Sequence, residues 1–348
     1  MKIHGKEWKR REIEARVGRI DQLGGIRRLR ATEGVEAGVE TVQIVTGSGL
    51  EYFVNPSRGL DISACRLAGS SVSWQSAQGD VAPSFYSDRG TDWLRTACGG
   101  MLMTCGLRQV GAPCEDEGES LGQHGRVHHA PARQVAAEGL WEGDEYRMRI
   151  RGELAETKMF GEHLVLQRSL ESRMGENVIR LHDVVENRGF TPSPLMLLYH
   201  FNFGFPMLSP GMEFHFPAQR IEPRDEHAPP VGYDRWETPT EGFHEQCYYH
   251  SEFVTDEEGF TRVAIVNPSF PVAGRAVPVR ASIRWRPEQL PWMVQWKMCG
   301  QGMHVLGLEP ANCRVAGRAA ARAANELDML DPGESRCFET RLDFEFLA

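Results

Sequence analysis

The sequence predicts an all-β protein built from a meandering antiparallel sheet, and three observations lead there. From Thr41 onward, short runs rich in β-branched and aromatic residues alternate with clusters of Gly, Pro, Asn and Ser. The strongest runs, Tyr146 to Leu154, Leu164 to Ser172 and Val178 to Val185, follow one another with no ten-residue helical periodicity between them, which disfavours βαβ units and a parallel sheet. Finally, 348 residues suffice for one large all-β domain or for two ordinary ones, and 41% hydrophobic content is that of a globular protein with a substantial core.

The elements follow in order. Residues 1–40 are read as an N-terminal arm, with Glu7 to Val17 a short amphipathic helix anchored by Trp8, Ile13 and Val17, and residues 41–348 as a single domain. Strands are expected at Val42 to Thr46, Leu50 to Val54, Leu60 to Leu67 and Ser71 to Trp74. The turn Asn55 to Ile62 carries Arg58, which by itself reads as a solvated surface residue. Gln75 to Gly122, with Trp93 and an acidic loop from Cys114 to Glu119, is a long irregular stretch of the kind that rims or covers a site.

Next comes the densest titratable cluster of the chain, His124, Arg126, His128 and His129. Three neutral imidazoles can hold a catalytic zinc, but this spacing matches no metal motif, and adjacent His128 and His129 would face opposite sides of a strand. The cluster is therefore read as a polar pocket wall, with neither metal nor cofactor. Past the turns at 173–177 and 186–194 lies Leu195 to Phe205, an aromatic-rich apolar run too short to cross a membrane. Strand alternation puts Leu198, His200, Asn202 and Gly204 on one face and Leu197, Tyr199, Phe201, Phe203 and Phe205 on the other. Core packing does not call for an imidazole and an amide side by side, so this face is a candidate pocket lining.

Two Pro-rich loops, Phe216 to Pro230 and Trp236 to Glu245, precede β-like pieces at Cys247 to Val254, Arg262 to Val266, Ala281 to Trp285 and Trp292 to Met298. In His304 to Pro310, alternation sets Val305, Gly307 and Glu309 on one face, so Glu309 is either a strand-end surface acid or an acid aimed into a cleft. An Ala- and Arg-rich loop or helix, Ala311 to Asn325, and a final strand, Arg336 to Phe346, complete the chain.

The formal net charge of −9, with no basic block beyond the scattered Lys6 to Arg11 cluster, argues against nucleic-acid and anionic-membrane partners. No apolar segment follows the first residues, and none is long enough for a bilayer span. Eight cysteines without a Cys-x-x-Cys pair read as reduced thiols of a cytoplasmic protein. A homodimer is left open.

The run Val185-Glu186-Asn187-Arg188-Gly189, then Pro192 and Pro194, then Tyr199-His200-Phe201-Asn202, resembles the aldose 1-epimerase (galactose mutarotase) signature. Gly307-Leu308-Glu309-Pro310 resembles that family's catalytic-glutamate strand, and Leu330 to Glu334 its lead into the last strand. The order of Ser57 to Ile62, His124-Gly125-Arg126, Tyr199 to Gly204 and Gly307 to Pro310 is similar to the mutarotase-like branch called DUF4432. The resemblance spans about residue 40 to the end. It implies a galactose mutarotase-like large antiparallel β-sandwich (supersandwich) and a small-molecule carbohydrate as partner.

By the same resemblance, His200 is the general acid, Glu309 the general base, and Arg58 and His124 hold ring hydroxyls; Arg126, Asn202, Trp296 and Lys297 are further substrate-binding candidates. Two departures stand out. Tyr199 precedes His200 where the family has Asn, and the family's sugar-binding aspartate has no matched position, which points away from ordinary aldohexoses such as galactose. The implied reaction is mutarotation, with carboxylate and imidazole on opposite sides of the sugar moving one proton each and no cofactor needed. Arg58, Arg126 and Lys297 would suit an acidic sugar, or else form internal salt bridges. A lyase or hydrolase on a modified glycoside and a non-catalytic sugar-binding protein are the other readings.

Overall fold

Burial along the long strands alternates with period two, as in Glu145–Thr157, and side chains so sorted must stack one sheet on another. The computed structural model describes residues 1–3 and 5–347. It contains two large antiparallel sheets. The eight-stranded one runs in the order Arg133–Glu142, Glu145–Thr157, His163–Arg173, Val178–Asn187, Ser335–Phe346, Arg275–Trp285, Thr261–Val272, Glu213–His215. The eleven-stranded one runs Ala218–Pro223, Gln246–Phe253, Trp292–Cys299, His304–Ala311, Met196–Phe203, Leu102–Leu107, Asp61–Leu67, Leu50–Asn55, Glu40–Val45, Gly25–Arg30, with Ser70–Ser71 paired to the side. Their facing sides share one apolar core, with Leu166, Leu181 and Ile283 from the first sheet against Leu197, Phe201 and Leu308 from the second.

Several elements differ from the sequence reading. Leu102–Leu107 is a strand inside the stretch read as irregular; all six residues are buried, so no alternation marks it. Gly25–Arg30, placed in the arm, is an edge strand paired with Glu40–Val45, and its mostly exposed side chains hide the pattern. Ala218–Pro223 lies in what reads as a Pro-rich loop and is the opposite edge. Val127–His129 forms a 3₁₀ turn rather than a strand, so His128 and His129 both turn inward and are buried. The N-terminal helix spans only Arg10–Glu14, and the Ala-rich segment holds a helix over Arg318–Ala323.

Buried polar groups also sit within the eleven-stranded sheet. His250 sits beside Phe216 with its Nε2 2.9 Å from Gln295 Oε1, and burial pushes it down to about 4. An unfolded chain binds this proton near the ordinary value of roughly 6.5, so the unfolded state takes up more protons as the pH falls below that value, and stability drops. This histidine is expected to cost about 2 kcal/mol between pH 7 and pH 5. Buried carboxyls with raised values, such as Asp61 at about 6, act in the opposite sense. Urea midpoints at the two pH values isolate the histidine: wild type should lose more than His250→Gln, and equal losses would contradict the assignment.

Candidate active site

The site begins with one strand. In Met196–Phe203, Leu197, Tyr199, Phe201 and Phe203 enter the inter-sheet core, which leaves Leu198, His200 and Asn202 on the outer face. Pairing with His304–Ala311 sets Asn202 against Gly307 and Phe201 against Leu308, so the same register brings Glu309 beside His200. Val294 and then Tyr249 extend this row to one side, and Met103 extends it to the other. Five adjacent strands thus form a floor with acid and imidazole at its centre.

The two side chains touch. His200 Nε2 lies 3.1 Å from Glu309 Oε1, but without the alignment of a hydrogen bond, so Glu309 Oε1 and His200 Nδ1 both lack partners among the described residues. They are neighbours on one floor, not groups facing each other across a ligand. Gly307 makes the carboxylate position possible, because a Cβ there would fall 2.2 Å from Glu309 Oε1. Gly307→Ala is therefore expected to displace the carboxylate and lower kcat by about 10²-fold, while thermal stability changes little. Full activity in that variant would show that the carboxylate need not lie there.

Burial governs the proton inventory. It drives Glu309 well above the ordinary carboxylate range, with Glu245 adding repulsion, and it pushes His200 down to about 3, helped by the neighbouring His124. Both shifts disfavour a carboxylate–imidazolium pair at rest and favour the neutral carboxyl and imidazole. His124 is held at φ 55°, and its Nδ1 accepts from the Gly111 N–H at 3.3 Å. Its own shift, to about 4 by desolvation, keeps the ring neutral, so its proton sits on Nε2 as a donor. The ring lies 4.9 Å from that of Trp93 and 6.1 Å from that of His200.

Above the floor opens a cavity of about 990 Å³, lined by His124, His200, Glu309 and Trp296 among others. Sequence reasoning missed part of its wall. Glu245 accepts from Trp296 Nε1 at 2.9 Å and from Arg224 Nη2 at 2.9 Å, which fixes a second carboxylate at the rim. Trp74, Trp93 and Trp292 also line the cavity. Trp74 and Trp292 stand at the ends of predicted strands and Trp93 in the stretch read as a rim, but no spacing says which rings face inward.

A sequence profile described as "Domain of unknown function (DUF4432)" matches residues 36–344. The chain belongs to the DUF4432 family. Among curated proteins, none matches this DUF4432 chain. Solved structures do. A provisionally named aldose 1-epimerase from Klebsiella pneumoniae superposes with a TM-score of 0.83 at 28% identity, covering 92% of this chain and 83% of that one. A galactose mutarotase-like protein from Clostridium acetobutylicum gives 0.62 at 13%, covering 94% and 100%. Galactose 1-epimerase from Lactobacillus acidophilus gives 0.54 at 15%, covering 93% and 100%. The DUF4432 chain therefore has the galactose mutarotase-like β-sandwich fold.

Of the eight residues singled out in the sequence, this DUF4432 structure gathers four around the cavity: His124, His200, Trp296 and Glu309. The other four lie elsewhere. Arg58 is wholly buried, donating to Val81 O at 2.8 Å and Thr96 O at 2.6 Å with His128 Nε2 at 2.8 Å, so it pins the loop that carries Trp93. Arg126 is held by Asp88 at 2.9 Å and lies near Glu156. Asn202 donates to Gly100 O and His200 O, bracing the strand below the imidazole. Lys297 alternates with Trp296, so it points through the other face, where Nζ meets Glu237 at 2.6 Å and Gly232 O at 3.0 Å.

The histidine cluster divides in the same way. His128 Nδ1 faces Asp61 Oδ2 at 2.6 Å, and His129 Nε2 faces Thr96 Oγ1 at 2.8 Å with its ring stacked on Tyr86. Among the described residues, no group of three or more His, Cys, Asp or Glu is arranged to hold a metal ion, and no helix is long and apolar enough to cross a membrane.

Proposed function

We propose that this protein is a sugar epimerase that interconverts anomers of a neutral saccharide, with Glu309 as base and His200 as acid. The observation that carries the reading is the 3.1 Å contact between two buried, otherwise unpartnered titratable groups on the floor of a large cavity. Anomeric hydroxyl and ring oxygen share one carbon, so neighbouring groups suit this chemistry better than groups across the ring. Hydroxyls donating to Glu309 favour its charged form, which moves the resting proton to His200. The carboxylate then takes the anomeric proton and the C1–O ring bond opens as His200 protonates the ring oxygen. After rotation about C1–C2, the reverse transfers close the ring on the other face.

His124 Nε2–H and the Glu245 carboxylate supply a donor and an acceptor for ring hydroxyls. A neutral sugar fits better than an acidic one, since Arg58, Arg126 and Lys297 have protein partners away from the cavity. Incubated with a freshly dissolved aldose, the protein should speed the relaxation of optical rotation and leave the product mass unchanged. A new mass would favour the lyase or hydrolase reading, and binding without any acceleration the non-catalytic one.

The pH profile offers a second check. A further proton on the pair blocks the base, and with His200 held at about 3 that event lies far below the ordinary imidazole range. Activity is expected to persist at pH 5; half-loss near the ordinary value of roughly 6.5 would contradict the burial argument.

A further inference from the structure

The cavity is larger than one sugar ring requires. At about 990 Å³ it lies at the upper end of pockets that enclose drug-sized ligands. A hexose has only about a dozen non-hydrogen atoms, well short of filling such a volume. The excess includes a built region. The row that holds His200 and Glu309 continues through Val294 to Tyr249, two strands on, which is roughly 10 Å at the usual strand spacing. There Tyr249 and Trp292 stand edge to face with centroids 6.2 Å apart.

Over their edge, the Arg314 guanidinium lies 5.3 Å from the Trp292 ring centroid and 5.9 Å from that of Tyr249, and it donates through Nε to Glu326 at 3.1 Å, with Nη2 also on that carboxylate. Its Nη1 has no protein partner among the described residues. All four of these side chains line the cavity. An aromatic pair next to a paired guanidinium and carboxylate presents an apolar platform with a donor and an acceptor at its edge. That combination fits a pyranose ring, whose C–H face stacks while its hydroxyls need both kinds of partner.

Charge narrows the choice further. Arg314 is matched by Glu326 and Arg224 by Glu245, so among the described residues the cavity offers no unmatched arginine or lysine to a carboxylate or phosphate. We propose that the substrate is a neutral saccharide of at least two rings with a free reducing end. The reducing ring lies over His200 and Glu309, and the next ring rests on Tyr249 and Trp292 beside Arg314 and Glu326. This rests on the epimerase reading for the reducing end alone; the second-ring subsite stands on the cavity.

The test uses the full chain. Glu309→Gln protein is titrated with glucose and galactose and with maltose, cellobiose, lactose and melibiose, following tryptophan fluorescence. At least one disaccharide should bind tenfold or more tightly than its component monosaccharides. In wild type, Trp292→Ala and, separately, Arg314→Leu should lower kcat/KM for that disaccharide about tenfold more than for the monosaccharide; the second variant guards against a folding defect in the first. Equal affinity for one and two rings, or equal losses in both variants, overturns the subsite. Disaccharide preference without anomer exchange keeps the subsite and removes the epimerase reading. Exchange of monosaccharides without that preference does the reverse.

Discussion

Replacing Glu309 by Gln is expected to lower anomer exchange by about 10²–10⁴-fold, the range that one positioned proton transfer contributes. The amide keeps the shape of the carboxyl group and its contact with Gly307, so the fold and ligand affinity should survive while the base is lost. Because Glu309 and His200 lie in contact at 3.1 Å and act as one unit on the same anomeric centre, their losses should not add. His200→Gln alone should cost nearly as much as the double replacement, and additive losses in kcat would show two independent groups.

A comparably large effect, on stability, is expected at Arg168. This fully buried side chain reaches Asp183 from Nη2 at 2.7 Å and Asp61 from Nη1 at 2.7 Å, tying the eight-stranded sheet to the eleven-stranded one. Tyr199 donates to Asp183 at 2.8 Å, and Asp61 also accepts from Thr104 N and Oγ1 at 2.8 and 2.6 Å. Burial pushes Asp61 up to about 6 even with Arg168 beside it. Arg168→Met leaves two buried carboxyls without their cation and is expected to cost about 3–5 kcal/mol in urea unfolding. Adding Asp183→Asn should restore part of that loss. An Arg168→Met protein as stable as wild type would mean that the cluster contributes little.

How much of this was legible in the sequence depended on what each residue does in the fold. Strands with one core face and one mixed face were visible because alternation marks them, and Glu145–Thr157 and Val178–Asn187 were found near their observed bounds. Leu102–Leu107, buried on both faces, carried no such mark and vanished into a supposed cover loop. Parity along single strands put His200 and Glu309 each on a definite face. Only the register between the two strands, which no local pattern encodes, makes them neighbours. Trp296 and Lys297 were read together as binding candidates although strand parity sets neighbouring residues on opposite faces, and only Trp296 faces the cavity. Arg58 shows a different limit: a turn arginine looks the same in sequence whether it meets solvent, sugar or backbone carbonyls, and here Val81 O and Thr96 O accept its hydrogen bonds. Glu245 was missed because its place is set by Trp296 on the neighbouring strand and by Arg224, contacts that no local pattern encodes.

The most direct measurement of the central claim is two-dimensional exchange NMR on an equilibrated neutral reducing sugar, mono- or disaccharide, with and without the protein. Cross-peaks between α- and β-anomer signals should appear with wild type and vanish with Glu309→Gln at equal concentration. Spectra that match buffer alone for every sugar tried, or cross-peaks that persist undiminished in Glu309→Gln, would contradict the assignment of Glu309 and His200 as a proton-transfer pair at the anomeric carbon.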